Sequence, residues 1–168
     1  TILKCSHENQ FLIIDGSAIT LLSTNQNLLC FLKKQRVIFT PHQMEWQRLS
    51  GIEIAAQNEA ANQRYQQKMN ATVVLKKYHT EIYHLDGSSS LLPLGGPYMS
   101  TGGMGDTLTG IVAAFLGQFR HKNYEQVVDA AVYSHSAIAA TLSTSRYVVL
   151  PTDIIKHLQE FMAAPNTF

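Results

Sequence analysis

The chain is expected to fold as an α/β layered protein, with a mainly parallel central sheet flanked by helices. Three observations lead there. Short apolar runs rich in β-branched residues recur at 11–15, 36–39 and 72–76, without the in-out alternation of a half-exposed strand, as in strands buried on both faces of a parallel sheet. Segments of helical period separate these runs, the alternation that builds βαβ units. The last third of the chain carries three helical patterns behind a glycine-rich loop.

The elements follow in order. Phe11-Leu12-Ile13-Ile14-Asp15 is a strand ending on a carboxylate, and residues 17–22 read as helix or loop. After the second strand, Arg36-Val37-Ile38-Phe39, the run Thr40-Pro41-His42-Gln43 marks a helix start. Thr40 is expected as N-cap, Pro41 as first helical residue, and Gln43 closes a capping-box spacing. That helix carries Met44, Trp46 and Leu49 and stops at Gly51. Residues 52–69, rich in Ala, Gln and Glu, predict a mostly exposed helix with one covered face. The third strand is Thr72-Val73-Val74-Leu75-Lys76, and residues 81–92, alternating on both sides of Asp86-Gly87, predict a β-hairpin. The final helices are expected at 108–119, apolar nearly all round and therefore buried; at 124–142, packed closely through its alanines; and from Thr152 as N-cap, with Ile154, Ile155, Leu158, Phe161 and Met162 on one stripe.

Composition limits the classes of function. The 168 residues suffice for one domain, and 45% hydrophobic with 15% charged content is that of an ordinary globular protein. Thirteen Lys and Arg against twelve Asp and Glu give a net charge of +1 with no basic block, which argues against nucleic-acid or membrane partners and for a small ligand. The apolar runs are too short, or interrupted by Asp15, to span a bilayer, and no signal peptide is recognised. Cys5 and Cys30 lie far apart and outside metal-ligand spacing, which fits a reducing cytoplasm. The start Thr1-Ile2-Leu3-Lys4 lacks methionine and leaves about ten residues before the first strand, so the chain is expected to begin inside a larger gene product.

The most informative segment is Thr101-Gly102-Gly103-Met104-Gly105-Asp106, which runs into the apolar helix. Its glycines let backbone N–H groups approach an anion, and the helix behind adds orphan amides and a partial positive charge. Asp106 either accepts a helix N–H or takes a proton from a substrate hydroxyl beside bound phosphate. His42, in the first turn of a helix, is either a surface residue or a ligand contact; Lys76, at a strand end, is either solvated or a phosphate partner. Asp15 is read as a structural strand-end carboxylate. His135 reads as a packed helix residue, and with His79, His84, His121 and His157 it shows no metal-ligand spacing, so no metal site made of protein groups alone is expected.

Three motifs in order carry a resemblance. Thr40-Pro41-His42 with Glu45, Val74-Leu75-Lys76 with Thr80, and Thr101 to Asp106 with Leu108-Thr109-Gly110 resemble the ADP/ATP-dependent NAD(P)H-hydrate dehydratases, ribokinase-like proteins that repair hydrated nicotinamide cofactors. The match covers about residues 10–160 and implies that 1–168 is the C-terminal portion of a single ribokinase-like domain, without that domain's N-terminal strands. By the resemblance, Asp106 is the catalytic carboxylate and, with His42, contacts hydrated NADH or NADPH. Lys76, Lys77, Tyr78, His79 and Thr80 hold the adenine nucleotide, ADP or ATP, together with Gly102, Gly103 and Gly105. Mg²⁺ accompanies the phosphates, held mainly by them and by water.

The implied reaction phosphorylates the ring hydroxyl so that it becomes a good leaving group. The alternatives are a ribokinase-superfamily small-molecule kinase, for a sugar or vitamin precursor, and a non-catalytic nucleotide-binding remnant. Three departures stand out: Lys77 replaces a glycine, with Tyr78-His79 filling a place of small residues; Ser17 replaces a second aspartate; and the earlier strands are not in this chain. The resemblance therefore leads us to expect an exposed sheet edge covered by the missing N-terminal half or in a homo-oligomer.

Overall fold

The computed structural model describes residues 10–32 and 36–164, so Cys5 and the Thr1 to Lys4 start lie outside the described residues. The chain divides into two compact units, Thr1–Leu91 and Leu92–Phe168.

The first unit begins with β1 (Phe11–Ile14) and α1 (Gly16–Thr24), followed by a 3₁₀ segment over Gln26–Leu32. Then come β2 (Arg36–Phe39), α2 (Gln43–Ser50), a 3₁₀ turn at Ile54–Ala56, α3 (Glu59–Met69), β3 (Thr72–Leu75), β4 (Thr80–Tyr83) and β5 (Ser89–Leu92). The strands lie in the order β1-β2-β3-β4-β5. The three apolar runs are the parallel part: Ile13 and Ile14 pair with Ile38 and Phe39, and Ile38 and Phe39 with Thr72 and Val73. β4 returns antiparallel, Val73 facing Tyr83 and Leu75 facing Glu81. Helical crossovers separate the parallel strands, as parallel pairing requires, whereas β3 and β4 need only the link through His79, whose φ of 62° is left-handed.

Alternation along β2 and β3 places Val37, Phe39, Val73 and Leu75 in one apolar cluster with Ile19 and Leu22 of α1 and Trp46 and Leu49 of α2. All four β3 residues are buried, so neither face of that strand meets water. The hairpin forms as expected: the Asp86 carboxylate accepts the N–H and hydroxyl of Ser88, and Gly87 takes a left-handed φ of 86°.

Residues 52–69 depart from the expected continuous helix. Helix α3 starts only at Glu59, because Asn58 caps it by accepting the Ala61 N–H at 3.0 Å. Its covered face is polar: Asn62 and Gln66 are fully buried. Asn62 accepts the Trp46 indole N–H at 2.8 Å and donates to the Tyr83 hydroxyl at 3.1 Å, while Gln66 donates to the Ala71 and His84 carbonyls. Asn62 thus enters the core with both ends of its amide bonded, whereas Gln66 is bonded through its N–H groups and its buried Oε1 meets no partner among the described residues.

The second unit holds a 3₁₀ turn at Pro97–Met99 and helices α4 (Met104–Gln118), α5 (Tyr124–Ser143) and α6 (Pro151–Ala163). Helix α4 begins four residues before the expected start and is not buried all round. Met104, Leu108, Ile111, Val112, Phe115 and Leu116 are buried, but Gly110, Ala113, Ala114 and Gly117 are exposed. The α5 alanines do pack, with Ala131, Ala137 and Ala139 buried. Helix α6 is capped at Leu150, not Thr152. Pro151 takes the first helical position, and the Asp153 carboxylate accepts the Leu150 N–H at 3.0 Å. Ile154 anchors the apolar stripe, whereas Ile155 is turned outward, 59% exposed. Among the described residues no helix is long and apolar enough to cross a membrane.

Candidate functional site

Parallel sheets collect polar groups at the carboxyl ends of their strands, the usual place for ligands in open α/β folds. Here Asp15 follows β1, Thr40-Pro41-His42 follows β2 and Lys76 follows β3. Backbone bonds hold these ends in register: Thr40 N–H donates to the Ile14 carbonyl at 3.1 Å and Lys76 N–H to the Pro41 carbonyl at 2.7 Å. His42 and Lys76 form a parallel bridge beyond the strands proper. Across the end of β2, Lys76 Nζ donates to Asp15 Oδ1 at 2.8 Å, with side-chain exposures of 22% and 15%.

His42, not Thr40, is the N-cap of α2. Thr40 is committed to the sheet by its bond to Ile14, and a residue before proline is disfavoured in helical conformation. The helix therefore starts beyond Pro41, with His42 extended at φ −81° and ψ 169°. His42 Nδ1 accepts the N–H groups of Met44 at 3.1 Å and Glu45 at 3.3 Å, and Glu45 Oε2 accepts the His42 N–H at 2.9 Å. An accepting Nδ1 puts the ring proton on Nε2. Nε2 lies 3.5 Å from Glu45 Oε1 on a half-exposed side chain.

The segment expected to hold adenine nucleotide is a tight turn between β3 and β4. Lys77 pairs with Glu81 at 2.5 Å. Tyr78, 76% exposed, stacks on His79 with ring centres 4.2 Å apart, and Thr80 opens β4. Glu81 also accepts the Tyr83 hydroxyl, which joins this turn to the Trp46–Asn62–Tyr83 bonds. Burial first, and then the bond to Glu81, push the Tyr83 phenol well above its ordinary value.

In the second unit, Gly103 caps α4 in a left-handed conformation, φ 84°. Met104 N–H donates to the Thr101 carbonyl and Thr107 N–H to that of Gly103. Among the described residues, the N–H groups of Gly102, Gly103, Gly105 and Asp106 donate to no carbonyl. A Cβ built on Gly102 meets nothing within 4 Å, so the loop backbone faces open space. Asp106 stands in the first turn, exposed, and among the described residues its carboxylate has no hydrogen bond or ion pair. Free amides and a helix N-terminus suit an anion; a free carboxylate beside them suits proton abstraction.

The geometry thus brings His42 together with Lys76 through Thr80 in the first unit, and Gly102, Gly103, Gly105 and Asp106 in the second. Asp15, Glu45 and Glu81, which bind Lys76, His42 and Lys77 respectively, are the residues sequence reasoning left out of the candidate site. Among the described residues no three His, Cys, Asp or Glu side chains gather as metal ligands.

The family model for NAD(P)H-hydrate dehydratase matches residues 2–160. The chain belongs to the NAD(P)H-hydrate dehydratase family. Within that family it is 48% identical to the ADP-dependent (S)-NAD(P)H-hydrate dehydratase of Enterococcus faecalis, over 99% of this chain and 56% of the relative. It is 44% identical to the enzyme of the same name from Lactococcus lactis, over 96% of this chain and 58% of the relative. A ribokinase-like superfamily protein from Enterococcus faecalis superposes with a TM-score of 0.87 at 48% identity, over 96% of this chain and 56% of that one. The ADP/ATP-dependent NAD(P)H-hydrate dehydratase of Bacillus subtilis, co-crystallised with ATP and Mg²⁺, gives 0.75 at 26% identity, over 90% and 54%. This dehydratase-family chain is therefore ribokinase-like in fold, as its motifs imply, and spans little more than half the length of the relatives it matches.

Proposed function

We propose that this chain is the later part of a single ribokinase-like domain that dehydrates hydrated NADH or NADPH to NAD(P)H with ADP or ATP. The observation that carries the proposal is the Gly102–Asp106 loop, where amides at a helix N-terminus that donate to no carbonyl adjoin a carboxylate with no partner, both among the described residues. Family membership supplies the substrate class.

In the proposed reaction, Asp106 takes the proton of the ring hydroxyl, whose oxygen attacks the terminal phosphorus of the nucleotide. The bond from that phosphorus to its bridging oxygen breaks, releasing AMP from ADP, or ADP from ATP. The amides of Gly102, Gly103 and Gly105 stabilise charge on the transferring phosphoryl group. The ring nitrogen's electron pair then expels phosphate, and loss of a proton from the neighbouring carbon restores the double bond. His42 Nε2–H contacts the hydrated cofactor, and Lys76 through Thr80 hold the nucleotide, with Lys76 on phosphate and the exposed Tyr78–His79 stack toward the base.

The donor set fits an Mg²⁺ that arrives with the nucleotide. Backbone N–H groups cannot ligate a cation, and one carboxylate leaves most of the coordination to phosphate and water. We place the reaction in the cytoplasm, where a free, exposed thiol such as Cys30 persists. The remainder of the domain, or a second copy, is the proposed partner of the β1 edge, where Phe11, Leu12 and Ile13 are only half-buried.

The test is turnover of hydrated NADH by the intact protein with ADP or ATP, read by the return of reduced nicotinamide absorbance. Asp106→Asn should cut turnover by about 10²–10⁴-fold and leave nucleotide affinity nearly unchanged. Phosphorylation of some other alcohol without conversion of the hydrate would make the chain part of a small-molecule kinase. Nucleotide binding without any turnover would make it a remnant.

A further inference from the structure

We infer that Asp15 is a positioning residue for nucleotide binding, acting through Lys76; this rests on the proposed role of Lys76. The two side chains come from opposite sides of the parallel sheet's central end, Asp15 after β1 and Lys76 after β3, with the end of β2 between them. They meet at 2.8 Å and are mostly shielded from water. The backbone fixes both roots: Lys76 N–H is bonded to the Pro41 carbonyl, and Asp15 precedes α1 in extended conformation, φ −134° and ψ 165°.

A lysine stem is long and loses considerable rotamer freedom when its ammonium is fixed. Asp15 takes one of three Nζ donors and holds the stem in place before any nucleotide arrives, leaving two donors for phosphate. That is preorganisation, which improves binding by removing an ordering cost. The opposing effect is that a carboxylate repels phosphate. The partial burial of the pair decides between them, because a charged hydrogen bond shielded from water fixes geometry far better than an exposed one. In this role Asp15 acts on the ligand only through Lys76, so its effect should fall on nucleotide affinity and spare the chemical step.

The experiment is a double-mutant cycle in the intact protein, with ADP affinity by calorimetry and KM and kcat by turnover. Asp15→Asn should weaken ADP roughly tenfold, the factor expected for one charge-assisted hydrogen bond, with kcat little changed, and Asp15→Glu should recover most of the loss. In a Lys76→Met background, Asp15→Asn should change ADP affinity less than about twofold, since its effect is transmitted through the lysine. Unchanged or tighter ADP binding in Asp15→Asn, while Lys76→Met weakens it, would overturn the positioning role alone. An unchanged affinity in Lys76→Met would overturn both this inference and the assignment of Lys76. Should Asp15→Asn not fold, a crystal structure of the unsubstituted protein with ADP decides. Nζ must contact phosphate while keeping Asp15, and an ammonium swung away from Asp15 refutes the inference.

Discussion

His42 and Glu45 cap each other: the imidazole Nδ1 accepts the Glu45 N–H at 3.3 Å, and the Glu45 carboxylate accepts the His42 N–H at 2.9 Å. One histidine thereby has two separable duties, holding the start of α2 and presenting Nε2–H at the carboxyl end of β2. Asparagine is among the best N-cap residues but lacks the ring, so His42→Asn should keep stability within about 0.5 kcal/mol while raising KM for the hydrated cofactor. His42→Ala should lose about 1 kcal/mol as well. Chemical denaturation and KM measured on both variants separate the duties, and equal KM values for His42→Asn and the native protein would remove His42 from the substrate site.

Gly102 and Gly103 are neighbours with different reasons to be glycine. Among the described residues and beyond its chain neighbours, a Cβ at Gly102 meets no atom within 4 Å, so Gly102→Ala should fold with native stability yet weaken nucleotide, since in the proposed site the methyl group would stand where phosphate approaches the amides. Gly103 has φ 84°, and its Cβ would lie 3.4 Å from Pro151 Cγ. Gly103→Ala should therefore cost about 1–2 kcal/mol of stability. Urea midpoints and ADP titrations on the two variants should show opposite patterns.

What the sequence made legible follows from how local each signal is. Strands β1, β2 and β3 were readable because burial on both faces makes short apolar runs, and the hairpin because Asp86-Gly87 is a turn in its own right. The cap of α2 was misplaced by two residues, since Thr40 and Pro41 satisfy the local pattern, while the competing claim on Thr40 comes from Ile14 in another strand. The polar face of α3 was unreadable for the same reason: Asn62 is bonded to Trp46, 16 residues away, and Tyr83, 21 away. At the candidate site, the Gly102 to Asp106 loop is legible through its glycines at a helix start. The Asp15–Lys76 pair spans 61 residues and carries no local sign at all.

Thr40 offers a stability prediction of unusual sign. Its hydroxyl is fully buried and, among the described residues, meets no hydrogen-bond partner. A buried hydroxyl without a partner costs about 1–3 kcal/mol, so the isosteric Thr40→Val should leave stability unchanged or raise it by up to about that amount. A clear loss in denaturant unfolding would mean that the hydroxyl is satisfied by water at the strand ends.

Asn62 should behave in the opposite way. It satisfies both the Trp46 indole and the Tyr83 hydroxyl inside the core, so Asn62→Ala strands two polar groups and leaves a cavity. The expected cost is about 2–4 kcal/mol, measured by urea unfolding. Because Tyr83 also donates to Glu81, and Glu81 holds Lys77, the variant should loosen the Lys76 to Thr80 turn and weaken adenine nucleotide by a few-fold at temperatures where it remains folded.

Asp153 sets an acid limit on the second unit. Its carboxylate accepts a hydrogen bond from Arg146 and, at the start of α6, from the Leu150 N–H, and these hold it below the usual carboxylate value. A depressed native value means the ionised form is favoured by folding. Its contribution is therefore complete above the unfolded value near pH 4 and disappears as pH falls through the lower native value. Asp153→Asn should melt below the native protein at neutral pH, and the gap should close on acidification below about pH 4. Melting temperatures for both proteins from neutral to strongly acidic pH test this, and a gap that stays constant through the acid range would show that the ion pair and cap contribute nothing through charge.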